Sequence, residues 1–288
     1  MICNENQQSR GVHVAWRPRG SCVKVTFPWL SITGTPKSGN RGTNFLIVAA
    51  VFFVTSSVSV VTGSTSLITV PVLIAFGIEP HVAVATNMLA LIFLSTGGSL
   101  PFAQKDVIER RILPLGIILT VVGSAVGAFL LLSIRTKALQ LTIAVAMIAV
   151  AVFTLLRHDR ESGQHSVSSA SQTGGYIATF VLAVYGGLFS GGYVTMLTAV
   201  FVFLLGLGFV QAVATTKVIN IFSSLVATAI FAIRGLVDYR LGLILGLVMF
   251  VGALVGGHAA MRLSATWLRR IFVVTVVALA VKMLFTRL

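Results

Sequence analysis

Charged side chains are scarce in this sequence, and acidic ones are scarcer still. Asp, Glu, Lys and Arg make up 10% of the 288 residues, against roughly 25% in a typical soluble protein. Only seven residues are acidic, against 21 basic ones. Apolar residues reach 56%, which is more than a soluble domain of this length could hide from water. The composition excludes an ordinary soluble protein and predicts an all-α, polytopic helical membrane protein.

Cysteine is nearly absent. Cys3 and Cys22 are the only two, too few and too isolated for a disulfide framework or a metal site. We therefore expect no metal, and we also expect no cofactor. Short alternating strands of the kind that build membrane barrels are not visible in the sequence either.

The net charge of +14 has a plain explanation. Six of the 21 Lys and Arg residues lie in the first 42 residues, and most of the others lie in short loops at helix ends. Basic residues at those places meet lipid headgroups. We therefore expect the lipid bilayer, and not nucleic acid, to be the partner of these charges. The location predicted is the cell inner membrane, crossed several times.

The sequence divides into four parts. Residues 1–43 are polar, basic and rich in Gly, Ser and Pro, without a signal-peptide core. They predict a disordered cytoplasmic tail, or an overlong start of the reading frame, with Val23–Leu30 as the only hint of order. A first membrane repeat at 44–157, a linker at 158–173 and a second membrane repeat at 174–288 follow. The unbroken spans are predicted at Val82–Ala103, Ile112–Ile134, Lys137–Leu156, Phe209–Ile233, Leu241–Met261 and Trp267–Phe285.

Each repeat opens with an apolar segment that is too long for one span and is interrupted by small polar residues. Asn44–Phe76 is interrupted by the cluster Thr62–Ser66, and Tyr176–Leu207 is interrupted near Ser190–Gly192. Each segment is either one broken helix or a re-entrant pair of half-helices. In both cases backbone that is not hydrogen-bonded must face protein or a water-filled cavity. The repeats thus hold about four hydrophobic segments each, and the first of each is broken.

The two repeats are related by an offset of 129 residues. At that offset Gly77 falls on Gly206, Ala83–Thr86 falls on Ala212–Thr215, and Gly123 falls on Gly252. Aligned glycines and a four-residue identity are hard to obtain by chance in an apolar sequence, so the sequence predicts two tandem homologous repeats. Basic residues are too evenly distributed to decide whether the repeats run parallel or inverted.

Paired helix breaks at matching positions predict a substrate site near the middle of the bilayer. A helix that restarts after a break points its unpaired amide groups and its positive dipole end at the site, which favours an anion. Hydroxyl and amide side chains surround these helix N-termini. Each single hydroxyl has the alternative of bonding its own helix. The candidate substrate-binding residues are Gly63, Ser64, Thr65, Ser66, Thr86, Asn87, Ser190, Gly191, Gly192, Thr195, Thr215, Thr216, Lys217 and Asn220.

Lys217 stands out because it lies well inside a predicted span, where its repeat partner is Met88. A buried cation in a membrane is costly and marks a functional site by default. The alternative is that Lys217 extends to the membrane surface from its place two turns into the helix. No Asp or Glu lies within a predicted span, so the carboxylate of a proton relay is missing.

Two other classes compete with a transporter. An intramembrane serine protease could use Ser190 and His258, although two residues separate Gly187 from Ser190 where rhomboid-type proteases have one. A non-catalytic assembly subunit would not need matched breaks. We therefore predict a transporter and no enzyme.

Together these residues resemble the sulfite exporter TauE/SafE family. The resemblance covers about residues 45–285 and is carried by the order of its motifs: Gly63, Val70-Pro71, Ala83–Asn87, Tyr185–Gly187, Gly191–Tyr193 and Gly252–Arg269. It implies export of a small anion such as sulfite or an organosulfonate by alternating access. Family members often have a glycine run where this chain reads Gly63-Ser64-Thr65-Ser66. The substrate, the coupling ion and the oligomeric state remain open.

Overall fold

The structure is a computed structural model that describes residues 13–15, 23–25, 40–136, 138–139 and 168–260. Within the predicted tail, strand β1 (His13–Ala15) pairs antiparallel with strand β2 (Val23–Val25). The predicted span Trp267–Phe285 lies outside the described residues, and so does nearly all of Lys137–Leu156.

Helices account for almost all of the other described residues. In chain order they are α1 (Asn40–Thr62), α2 (Ser66–Ala75), α3 (Pro80–Ala103), α4 (Leu113–Ser133), α5 (Ser169–Leu188), α6 (Tyr193–Phe203), α7 (Phe209–Ile233) and α8 (Tyr239–Ala260). Four of them, α3, α4, α7 and α8, are long and apolar enough to cross a membrane.

The helix boundaries lie close to those expected from the sequence. Helix α7 has the predicted ends, and α3 and α8 each begin two residues earlier than predicted. The largest difference is at α5, which begins at Ser169 inside the segment predicted as a linker. Ser168 caps this helix, because its side chain accepts a hydrogen bond from the amide of Ser171. The serine-rich end of the linker is therefore a helix start.

Close packing at glycines fixes the relative directions of the helices. A Cβ atom at Gly242 or Gly246 would meet Leu89 or Phe93, and one at Gly257 would meet Pro101. Residue numbers rise together in these contacts, so α3 and α8 run parallel. The contacts of α8 with α1 also rise together, from Phe53 at Gly252 to Ser57 at Gly256.

The same arrangement occurs on the other side of the molecule. Gly123 approaches Phe180 and Ala183, and Gly127 approaches Val184 and Leu188, so α4 and α5 run parallel. Helix α4 also runs parallel to α7, because Gly116 meets Ile219 and Ser124 bonds Ser223. In each contact at least one partner is a glycine or a serine, and such small residues let membrane helices approach closely.

The two groups of helices run in opposite directions. We call the membrane face at which α3 begins face A and the other face B. Helix α3 crosses from A to B, and α4, which follows after a short loop, returns from B to A. Being parallel to their neighbours, α1 and α8 run from A toward B, and α5 and α7 run from B toward A.

These directions mean that α1–α2 and α5–α6 are re-entrant pairs. Helix α1 enters from face A, yet α3 begins at the same face, so the ten residues of α2 must return toward A. By the same reasoning α5 enters from face B, and α6 returns to face B before α7.

Candidate functional site

The tips of the two re-entrant pairs touch each other inside the protein. The hydroxyl groups of Ser64 and Thr195 are hydrogen-bonded at 2.9 Å, and Thr195 also donates to the carbonyl of Thr62. Gly63 permits this approach: a Cβ there would lie 2.8 Å from the amide nitrogen of Thr195. Its φ of +70° also belongs to the left-handed region that glycine occupies freely. The first break is therefore shaped to receive the second.

A small cavity lies beside this contact. Its volume is about 10 Å³, which is room for roughly one water molecule. It is lined by Gly63, Thr65, Ser66, Leu91, Leu94, Ser190, Val194, Lys217 and Asn220. Helix α2 begins at Ser66 and α6 at Tyr193, so two helix N-termini adjoin the cavity. Their amide groups and dipoles favour negative charge there.

The amino group of Lys217 lies beside the same cavity. Its side chain is 1% exposed, and its Nζ donates a hydrogen bond of 3.0 Å to the carbonyl of Ser59. Ser59 lies in the last turn of α1, and its carbonyl also accepts from the amide of Gly63 at 2.8 Å. The negative end of the helix dipole lies at this turn. The Lys217 amino group is thus anchored beside the cavity.

Two asparagines hold the walls of the cavity. Asn87 accepts from Thr69 at 2.6 Å and donates to Ser66 at 2.9 Å, which fixes the start of α2 against α3. Asn220 donates to Ser95 at 2.7 Å across the α3–α7 contact. Both side chains are almost fully buried, so their amide groups position the helices in a setting without water.

Six of the residues predicted from the sequence therefore line one cavity, and several others support it. The six are Gly63, Thr65, Ser66, Ser190, Lys217 and Asn220. Gly191 accepts from the Tyr185 hydroxyl at 2.5 Å, and Gly192, with a φ of +77°, precedes α6. Thr216 bonds Thr198 at 3.1 Å and the carbonyl groups of its own helix. These contacts shape the second break and the helix behind it.

The structure places Thr86 and Thr215 away from the cavity, at opposite faces of the membrane. The hydroxyl of Thr86 accepts from the amide of Asp238 at 3.1 Å, near face A. The hydroxyl of Thr215 accepts from the amide of Glu109 at 3.0 Å, near face B. Thr86 on α3 thus bonds the loop that follows α7, and Thr215 on α7 bonds the loop that follows α3.

Sequence reasoning missed the apolar part of the cavity wall. Leu91, Leu94 and Val194 line it, but nothing distinguishes them from the many other aliphatic residues of the chain. The alignment of the two halves offers one hint, because at the offset of 129 Leu91 is aligned with Asn220, which is itself a candidate site residue. The cavity is thus polar on its α7 side and apolar on its α3 side.

The serine and histidine of the protease alternative occupy different surroundings. Ser190 lines the buried cavity. His258 is exposed, and its Nδ1 lies 2.8 Å from the carbonyl of Leu254 on its own helix. No hydrogen bond between Ser190 and His258 occurs in the described part of the chain.

Comparisons with known proteins point to one family of membrane transporters. The sequence profile described as Sulfite exporter TauE/SafE matches residues 47–283. A probable membrane transporter protein of a Sinorhizobium species is 29% identical over 245 residues, which is 83% of this chain and 91% of the relative. Probable membrane transporter proteins of Haemophilus influenzae and Escherichia coli are 26% and 25% identical and cover 83% of this chain. These two alignments span 94% and 90% of the relatives. No solved structure matches the chain significantly.

Proposed function

Because the chain belongs to the sulfite exporter TauE/SafE family, we propose that this membrane transporter exports a small oxyanion, sulfite or an organosulfonate, by alternating access. The observation that carries the proposal is the central cavity, where two re-entrant tips, several hydroxyl groups and the Lys217 ammonium meet. Every one of these groups can donate a hydrogen bond to an oxyanion.

The size of the cavity supports alternating access. An anion of four heavy atoms does not fit into room for about one water molecule. The tips must therefore separate before the substrate enters, and we call the form with the tips in contact the closed form. The bonds of Thr86 and Thr215 near the two faces are polar contacts that can break separately, one at each face.

Pairs of equivalent contacts support an inverted repeat. Adding 129 to Thr86 and to Glu109 gives Thr215 and Asp238, so the bond from Asp238 to Thr86 corresponds to the bond from Glu109 to Thr215. In the same way the bonded pair Thr69–Asn87 corresponds to the bonded pair Thr198–Thr216. Helices α3 and α7, which are equivalent at this offset, run in opposite directions. Such a pseudo-twofold axis in the membrane plane lets one mechanism open to either face.

The membrane potential supports the outward direction. An inside-negative potential favours the exit of an anion by about 2.3 kcal/mol per charge per 100 mV. No acidic residue lies inside the described helices that cross the membrane, so this drive needs no proton-relay carboxylate there.

Flux through liposomes tests the proposal. Purified protein is reconstituted, the liposomes are loaded with radiolabelled sulfite, and an inside-negative potential is imposed with a potassium gradient and valinomycin. We expect saturable efflux that the potential accelerates and that unlabelled organosulfonates inhibit. Efflux equal to that of protein-free liposomes for sulfite and for organosulfonates would contradict the proposed substrate class.

A further inference from the structure

Three buried oxygen atoms on helix α7 lack a hydrogen-bond partner. They are Oδ1 of Asn220, Oγ of Ser224 and Oγ1 of Thr228, and among the described residues no other buried side-chain nitrogen or oxygen shares this condition. The three side chains are between 1% and 7% exposed. A buried polar group without a partner destabilises the fold, and a serine or threonine in a helix can usually avoid this by bonding the carbonyl four residues earlier.

The three residues form a stripe that starts at the cavity. Together with Lys217 they follow the spacing i, i+3, i+7 and i+11, which places all four within an arc of about 80° on a helix with 3.6 residues per turn. Lys217 and Asn220 line the cavity. We call Lys217, Asn220, Ser224 and Thr228 the α7 stripe.

The length and direction of the α7 stripe fit half of the membrane. Eleven residues of helix rise by about 16 Å, close to half of a hydrocarbon core of about 30 Å. Helix α7 runs toward face A and ends at Ile233, five residues beyond Thr228. The stripe therefore leads from the middle of the membrane toward face A.

Helix α3 carries a shorter counterpart on the other side. Ser95 and Ser99 are the equivalents of Ser224 and Thr228 at the offset of 129, and both are buried. Ser95 accepts from Asn220, so this pair also begins beside the cavity. Because α3 runs toward face B, Ser95 and Ser99 lead to the opposite face.

From these observations we propose that the α7 stripe lines the path by which the anion travels between the cavity and face A, and that Ser95 and Ser99 line the path to face B. The inference rests on the proposed function. In the closed form the walls lie against each other, which leaves the hydroxyl groups of Ser224 and Thr228 without partners. When the path opens to face A, water or the oxyanion supplies the missing hydrogen bonds, since each hydroxyl can both donate and accept.

Cysteine accessibility tests the two paths. Cys3 and Cys22 are first replaced by serine, and then Ser224→Cys, Thr228→Cys, Ser95→Cys and Ser99→Cys are made one at a time. The probe is 2-sulfonatoethyl methanethiosulfonate, an anion that does not cross lipid. The thiolate of the introduced cysteine attacks the divalent sulfur of the reagent. The S–S bond of the reagent breaks, a mixed disulfide forms, and methanesulfinate leaves. The reagent is added to sealed vesicles of either orientation.

We expect Ser224→Cys and Thr228→Cys to react from face A, and Ser95→Cys and Ser99→Cys to react from face B. Leu225→Cys is the matched control, because it adjoins Ser224 at the same depth but its side chain is 51% exposed on the surface of the helix bundle. Lipid suppresses ionisation of this thiol, so the path positions should react at least about ten times faster. Sulfite should slow the reaction of Ser224→Cys.

Two results would overturn the inference: reaction of Ser224→Cys and Thr228→Cys no faster than Leu225→Cys, or reaction of all four path positions from one face. If a cysteine variant does not insert, Ser224→Ala and Thr228→Ala replace it, and each should lower flux at least threefold. Unchanged flux in both would also overturn the inference. Labelling as expected in a protein that moves neither sulfite nor organosulfonates would keep the path and reject the proposed substrate. Sulfite efflux without the expected labelling would keep the proposed substrate and reject the path.

Discussion

At the scale of single residues, Lys217 is the centre of the proposed site. Its ammonium is held by the carbonyl of Ser59 at the end of α1 and has hydrogens to spare for an anion. In the proposed site the side chain stabilises the end of a helix and supplies positive charge to the cavity. A variant that keeps the volume and removes the charge abolishes both contributions.

Lys217→Met is that variant, because it copies the repeat partner Met88 with a similar volume. We expect sulfite efflux to fall at least several-fold, since a charged hydrogen bond contributes about 1.5–3 kcal/mol. The measurement is initial flux at equal protein per liposome. Lys105→Met, in an exposed loop, is the control and should transport normally. Wild-type flux in Lys217→Met would mean that the site consists of neutral groups and helix ends.

Glu79 is a residue whose role depends on pH. It caps α3 by accepting from the amides of His81 and Val82 at 2.9 and 3.1 Å, and its other oxygen lies 2.8 Å from Nδ1 of His81. Partial burial raises the pKa of Glu79, but the hydrogen bonds from His81 and Val82 outweigh it and leave the pKa below its ordinary value. The ionised carboxylate therefore stabilises the fold above the ordinary carboxyl pKa of about 4.3. This stability is lost as the pH falls through the lower folded pKa.

We expect Glu79→Ala to lower the melting temperature in detergent at pH 7, in line with the roughly 0.5–2 kcal/mol of a helix cap. The difference from wild type should shrink as the pH falls through the lowered pKa of Glu79, because the wild-type carboxylate then becomes neutral as well. Glu79→Asp, which keeps a capping carboxylate, should lose less. A difference that stays constant from pH 7 to pH 3 would show that the charge of Glu79 does not contribute.

At the scale of helices and breaks, small residues decide which elements can approach. Gly256 lies against the carbonyl of Ser57, and Gly127 lies against the carbonyl of Val184. Both neighbours are backbone atoms, which cannot swing aside as a flexible side chain would.

Gly256→Ala should therefore destabilise the protein, because the added Cβ would push α1 away from α8. We expect a loss of several degrees in melting temperature, in line with the roughly 1–3 kcal/mol of an overpacked site. Gly174→Ala is the matched control. Gly174 lies within α5, and an added Cβ would meet nothing within 4 Å, so the better helix former should be neutral or stabilising by up to about 1 kcal/mol. Equal melting temperatures for Gly256→Ala and wild type would show that α1 can move aside freely.

The helices were largely predictable from the sequence, and the site was predictable in part. Helix α7 has the expected ends because a glycine-rich loop precedes it and Arg234-Gly235 follows it. Ser190, Lys217 and Asn220 were found because polar residues inside apolar segments are rare. Thr86 and Thr215 look the same in sequence, yet they bond loops at the membrane faces, since a hydroxyl near a helix start can serve a neighbouring loop equally well.

At the scale of the whole molecule, the opposite direction of the two groups of helices was not predictable. Near the described helix ends, Lys105, Arg110 and Arg111 lie at face B, whereas Arg41, Arg135, Arg234 and Arg240 lie at face A. Three basic residues against four are too similar for the positive-inside rule to choose a direction. The direction follows instead from glycine contacts between distant parts of the chain, which no local pattern shows.

Labelling from the two sides of the membrane tests this arrangement. Arg111→Cys and Arg240→Cys are equivalent at the offset of 129, and both positions are exposed. In the chain with Cys3 and Cys22 replaced by serine, we expect a membrane-impermeant maleimide to label one of them in intact cells and the other only after permeabilisation. Labelling of both in intact cells, or of neither, would contradict the opposite orientation of the halves.

The contact of Gly256 with Ser57 has a consequence for how the protein is made. Its two members are separated by 256 − 57 = 199 residues, and translation adds about 5–20 residues per second. Helix α1 leaves the ribosome roughly 10–40 seconds before the helix that covers its small-residue face. During this time the face, with Ser56 and Ser57, lies open to lipid or to other proteins. The nascent first half therefore stays without its Gly256 contact until α8 has been synthesised.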